Sequence, residues 1–160
     1  MSAMEKSAST FGEGTVEIVR AFNAPRALVW QAWTESKMMA QWLGPKHFTN
    51  PVCEVDARPG GKLRIVMRGP DGNEYPCAGV FREVVAPERL VFTNNAVDKD
   101  GKILLEGLTT VTFAEHGGKT TMTLKTHTVG RVPLAKQMLA GMKAGWSQSI
   151  DKLQELVERG

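Results

Sequence analysis

From Pro133 almost to the C-terminus the sequence keeps a single period. Leu139, Met142, Trp146, Ile150, Leu153 and Val157 recur three or four residues apart. That spacing puts all six on one stripe of a long α-helix, and so apolar a stripe must be buried against a surface of matching length. The stretch that can supply the surface comes before it. After Pro45, about eighty residues read as short strands: "PVCEVDA", "KLRIVMR", "YPCAGVFREVV", "RLVFTNN", "LEGLTTVTFAE" and "KTTMTLKTHT". Tight turns separate them: Pro59-Gly60-Gly61, Asp71-Gly72, Ala86-Pro87-Glu88, "VDKDGK" and His116-Gly117-Gly118. Parallel neighbours would need crossovers of a dozen residues or more, so these strands pair antiparallel.

The N-terminal part adds one strand and two helices. "TVEIVRAF" alternates, with Val16, Ile18 and Phe22 on one side and Thr15, Glu17 and Val19 on the other. Arg20 shares the parity of Ile18 and Phe22, so it must find a partner or lie at a pocket mouth, because an unpaired buried charge is costly. The period then changes. Asn23 can cap a helix, Pro25 suits its first turn, and Leu28, Val29, Ala32 and Trp33 recur at helical spacing. A break at Thr34 to Ser36 precedes a second short helix, which carries Met38, Met39 and Trp42 and ends at Gly44-Pro45.

The expected fold is α+β: a curved antiparallel sheet of six to seven strands wrapped on a long C-terminal helix, with two short helices after the first strand. Residues 14 to 160 are expected to form one domain, and residues 1 to 13 a flexible segment. A chain of 160 residues, 42% of them hydrophobic, can bury a continuous core without disulfides or metals. Cys53 and Cys77 form no metal-binding spacing and read as free thiols of a reducing, cytoplasmic compartment, although a bridge between neighbouring strands stays open. The 20 basic residues are interspersed with 17 acidic ones and form no basic arm, which argues against nucleic acid. No segment reads as a signal peptide or a membrane span.

Few motifs carry chemistry. Gly60-Gly61-Lys62 is followed by Leu63, so it is not a phosphate-binding loop, and it reads as a strand-connecting turn bracketed by Asp56 and Arg58. His47, His116 and His127 lie far apart in the expected elements, and no metal site is expected. Ser147 and Ser149 fall on the long helix outside any nucleophile elbow. Glu83 and Glu106 read as partners in surface ion pairs.

Five stretches in order carry a family resemblance: "NAPRALVWQAWTESKMMAQWLGP", "VDARPGGKLRIVM", "CAGVFREVVAPERLVFT", "TTVTFAEHGGKTTMTL" and "GWSQSIDKLQELV". Over about residues 14 to 158 the chain resembles the bacterial branch of the family named after the activator of the heat-shock protein 90 ATPase, within the START-like (SRPBCC) superfamily. The resemblance implies the helix-grip (START-like, Bet v-like) fold. It also brings a superfamily of lipid carriers, hormone receptors, polyketide cyclases, allergens and co-chaperone domains, so on function it implies no more than a hydrophobic ligand.

A strongly curved sheet gripping one helix leaves an apolar cavity at one end. The residues expected to surround it are Trp33, Trp42, Met67, Phe81, Phe92, Met122, Met142 and Trp146, with Arg20 at its mouth. Tryptophans and flexible methionines suit a pocket that adapts to its ligand. The function expected is noncatalytic binding of a small hydrophobic or amphipathic molecule, with no cofactor. Two alternatives stand beside it. One is a cyclase or isomerase using Arg20 with Glu54 or Asp56, and the other is a chaperone ATPase-associated interaction module. Antiparallel edge strands and the loop Asn94 to Lys102 leave room for a homodimer.

Overall fold

The computed structural model describes residues 11–159. Seven strands form one antiparallel sheet: β1 (Glu13–Phe22), β2 (Thr49–Val55), β3 (Lys62–Arg68), β4 (Glu74–Val85), β5 (Arg89–Val97), β6 (Ile103–His116) and β7 (Lys119–Gly130). Their spatial order is β1-β7-β6-β5-β4-β3-β2, so β2 to β7 meander and β1 closes the far edge against β7. Between β1 and β2 lie α1 (Arg26–Thr34) and α2 (Ser36–Trp42); after β7 come α3 (Ala135–Ala140) and α4 (Met142–Arg159). The expected segment 1 to 13 lies mostly outside the described residues. Its last part is anchored, because the Phe11 N–H donates to the Gly130 carbonyl at 2.9 Å and the Gly130 N–H to the Gly12 carbonyl at 2.8 Å.

Alternation on β1 falls as its sequence dictates: Val16, Ile18 and Phe22 are buried while Val19 is exposed. Across the sheet the inward residues stand in rows that follow from the register. Arg20, Met122 and Phe113 make one row; Ile18, Leu124, Val111 and Leu90 the next; Val16, Thr126, Thr109, Phe92 and Phe81 the third. The fourth holds Gly14, Thr128, Gly107 and Asn94, and the fifth Gly130, Leu105, Ala96 and Cys77. Large apolar side chains thus give way to threonine, then to glycine, asparagine and alanine. The taper leaves one end of the sheet's concave face short of volume.

α4 crosses that face. Ile150, Leu153 and Val157 are buried against the full rows, each contributing about 1.5–3 kcal/mol of transfer free energy. The single helix expected from Pro133 is in fact two, because the chain breaks at Gly141 and leaves Leu139 on α3 and Met142 on α4. The small residues of the sheet's tapering end admit α3, since a Cβ on Gly130 would stand 2.6 Å from that of Ala135. Asn23 does not cap α1: Pro25 occupies the cap position, and the Asn23 N–H donates to the Glu158 carboxylate of α4 at 2.8 Å.

Three further expectations are corrected by the register. Cys53 and Cys77 both lie opposite Ile65, one on each side of β3, so they sit on strands separated by a third, and both are free thiols. Asn94 to Val97 belongs to β5, in the middle of the sheet, so that segment is no edge for a second copy to pair with. The turn at Pro59-Gly60-Gly61 locks β3 to β4: the Gly60 N–H donates to the Phe81 carbonyl at 2.8 Å, and the Phe81 N–H to the Gly61 carbonyl at 2.9 Å. Only glycine fits at position 61, where a Cβ would lie 1.9 Å from the Asp56 carbonyl oxygen. Asp56 and Arg58 pair with each other at 2.9 Å on the exposed side of this turn.

Candidate functional site

At the tapering end a cavity of about 430 Å³ opens between sheet and helices. Leu63, Ile65 and Met67 of β3, Cys77 of β4, Phe92, Asn94 and Ala96 of β5, Leu105 of β6 and Thr128 of β7 form its floor. Met142, Gly145, Trp146 and Ser149 of α4, with Met138 of α3, form the roof. Trp33, Met39 and the segment Leu43 to Pro45 with Phe48 close one side. Tyr75, Gln137 and Gly141 line the cavity and are exposed, which marks where it meets solvent. Phe48 and Tyr75 pack together at this rim, ring centroids 5.8 Å apart.

The segment after α2 is held to α4 by three side chains. The Ser149 hydroxyl accepts the Gly44 N–H at 2.9 Å and donates to the Gly145 carbonyl, so the serine that lines the cavity is a structural clasp. Gln148 accepts the Lys46 N–H at 2.9 Å. Lys152 donates to the carbonyls of Pro45 and Leu43, and its burial there lowers its pKa, since loss of water disfavours the ammonium.

The polar content of the floor is small and uncharged. Thr109 bonds both the Asn94 side-chain oxygen, at 2.7 Å, and the Thr126 hydroxyl, at 2.8 Å, giving a short relay under the cavity. No Asp, Glu, Lys, Arg or His lines the cavity. Cys77 does, and burial pushes its thiol up to about 12, which keeps it protonated and a poor nucleophile near neutrality. Among the described residues, no group of three or more His, Cys, Asp or Glu side chains could hold a metal, and no helix is long and apolar enough to cross a membrane.

Of the nine residues read from the sequence as pocket candidates, Trp33, Met67, Phe92, Met142 and Trp146 line this cavity. The other four do not. Trp42 is fully buried behind Trp33, its indole N–H donating to the Ala32 carbonyl at 2.8 Å. Phe81 and Met122 are buried in the large-residue rows. Arg20 lies in the first row, at the packed end, where it bonds Asp151 and Gln154 of α4 at 2.9 Å each. Glu54 and Asp56 pair with Arg64 and Arg58 on exposed turns and strands, away from the cavity. The sequence reading passed over Asn94, Thr128, Ser149, Phe48 and Tyr75. Parity could have found the first two, since Asn94 follows Phe92 by two residues and Thr128 follows Leu124 by four.

A second concavity, of about 390 Å³, lies on the opposite face of the sheet between Arg82, Asn95 and His127. Two of its charged groups are already engaged, His127 with Glu13 and Glu106 with Arg131. As expected from sequence, Glu83 is also paired, with Arg89.

An antiparallel sheet wrapped on a C-terminal helix, with two short helices closing one side, is the helix-grip fold of START-like proteins. The model of the family described as "Activator of Hsp90 ATPase homolog 1-like protein" matches residues 23–158, and the chain belongs to that family. Solved structures of similar bacterial proteins agree over nearly the whole chain. One from Nitrosomonas europaea is 28% identical, covers 91% of this chain and 94% of its own, and superposes with a TM-score of 0.73. One from Chromobacterium violaceum is 27% identical, with 90% and 96% covered and a TM-score of 0.75. A third, from Arthrobacter aurescens, is 25% identical, with 91% and 87% covered and a TM-score of 0.79. No curated protein matches the chain.

Proposed function

We propose that the protein binds a small, uncharged hydrophobic or amphipathic molecule in the cavity between sheet and α4, without transforming it. One observation carries this reading: a volume of about 430 Å³, within the usual range of small-molecule sites, is lined by aromatic, aliphatic and thioether side chains and by no charged group. The acid–base reading loses its residues, because Arg20, Glu54 and Asp56 each engage partners elsewhere. The chaperone-associated reading rests on the family description alone. Two free thiols suit a reducing cytoplasm, and residues 14 to 160 are read as one domain.

Fluorescence of N-phenyl-1-naphthylamine, a neutral apolar probe that brightens out of water, tests the reading. Wild-type protein should brighten it, and Gly145→Leu should weaken binding about tenfold or more by filling the cavity. That substitution is sterically tolerable on the helix, where a Cβ meets nothing closer than Pro45 Cγ at 3.7 Å. Wild-type protein that leaves the probe dark, or a folded variant that binds it equally well, overturns the proposal.

A further inference from the structure

Trp33 and Trp42 are both essentially buried and touch each other, with centroids 4.7 Å apart. The indole N–H of Trp42 is satisfied by the Ala32 carbonyl, whereas that of Trp33 has no acceptor among the described residues. Leaving a buried donor unmet costs about 1–3 kcal/mol, so such a group calls for an explanation. Around Trp33 the protein offers rings: Trp42, Phe92, Phe113 and Trp146 all lie with centroids within 6.4 Å. The remaining neighbour is the cavity that Trp33 lines.

Resting on the ligand-binding reading above, we infer that the bound molecule is a flat, neutral, ring-bearing compound that presents a carbonyl-type acceptor to the indole N–H of Trp33. Neutrality follows from the lining: with no cation in the wall, a carboxylate or sulfonate would enter without a counter-charge, and isolated charge is strongly disfavoured out of water. Flatness follows from the walls. Trp33 and Trp146 lie within 18° of parallel, and aromatic ligands gain from such faces. Size follows from volume, since a dry cavity of about 150 Å³ holds one benzene. A cavity of about 430 Å³ therefore suits two or three rings.

Titration calorimetry with three probes tests this: 2-acetylnaphthalene, which carries the acceptor; 2-ethylnaphthalene, which matches its shape without one; and 2-naphthoate, which is charged. The ratio of ketone to ethyl affinity should fall about threefold to tenfold in Trp33→Phe, the range set by one neutral hydrogen bond. In Trp146→Phe, which removes a comparable ring from the same cavity, the ratio should stay at its wild-type value. The naphthoate should bind more weakly than the ketone. The Trp33 indole proton should move downfield in NMR spectra when the ketone is added and not when the ethyl compound is. If both neutral naphthalenes bind but Trp33→Phe leaves their ratio unchanged and the indole proton ignores the ketone, the acceptor assignment is overturned while the cavity reading stands. If neither neutral compound binds, both fall.

Discussion

The two ends of α4 carry the same kind of residue and meet opposite fates. Ile150, Leu153 and Val157 are sealed against the sheet, while Met142 and Trp146, continuing the same stripe toward the N-terminus, are only partly buried and roof a cavity. The helix does not make this difference. Below the C-terminal half stand rows of Leu, Val, Met and Phe; below the N-terminal half stand Thr, Asn, Gly and Ala. A helix is straight and a strand alternates, so volume withheld by small inward residues reappears as space between them. The cavity is thus written into five strands at once, as a taper across the sheet rather than as a motif at one place.

The largest effect that could break the comparison is a matched pair of truncations. Leu153→Ala, at the packed end, should cost about 2–5 kcal/mol in urea unfolding, because the void it leaves has nothing to fill it. Met142→Ala should cost well under half as much, since Met142 already borders open space, yet it should weaken binding of the naphthalene probes. Equal costs would mean that the open end is as tightly packed in solution as the closed one.

Alkaline pH offers a second, smaller test, because it asks whether the open end is dry. Burial raises Cys77 from the ordinary 9.0 to about 12, and burial together with the Glu54 charge raises Cys53 to about 11. Below pH 9 both states keep these protons and neither thiol affects stability. Between 9 and the raised values the unfolded chain gives up protons that the folded one retains, so stability falls as pH rises, by at most about 1.4 kcal/mol per pH unit for each thiol. Cys77→Ala should flatten that slope in chemical unfolding between pH 9 and 10.5. A slope identical in wild type and variant would show water reaching the thiol.

How much of this was legible beforehand divides along the same line. Element order, the parity of β1 and the apolar stripe of the last helix follow from local periodicity, so the helix-grip architecture could be read before any coordinates. Which inward residue meets a neighbour and which meets a gap depends on the pairing of strands distant in sequence. Phe81 and Phe92 share a row, yet only Phe92 lines the cavity, and Met122 lies two rows beyond the taper. No spacing within one strand encodes that. The relay of Thr109 with Asn94 and Thr126 was invisible for the same reason: its members come from three strands. The break at Gly141 was hidden because the stripe keeps its period across the glycine.

The smallest predicted effect belongs to Arg20, which the sequence reading set at the pocket mouth and the structure sets at the packed end. Its guanidinium bonds Asp151 and Gln154 of α4; its side chain is 25% exposed and that of Asp151 is 62% exposed. An ion pair so accessible to water and salt contributes on the order of 0–1 kcal/mol. Arg20→Met keeps an aliphatic chain beside Met122 and Phe113 while removing the charge, so the unfolding free energy should change by less than about 1 kcal/mol, and by less still at high salt. Probe affinity should not change at all. If Arg20→Met altered binding of the neutral naphthalenes while Met142→Ala did not, the site would lie at the wrong end of α4, and the taper would be a feature of packing without a ligand.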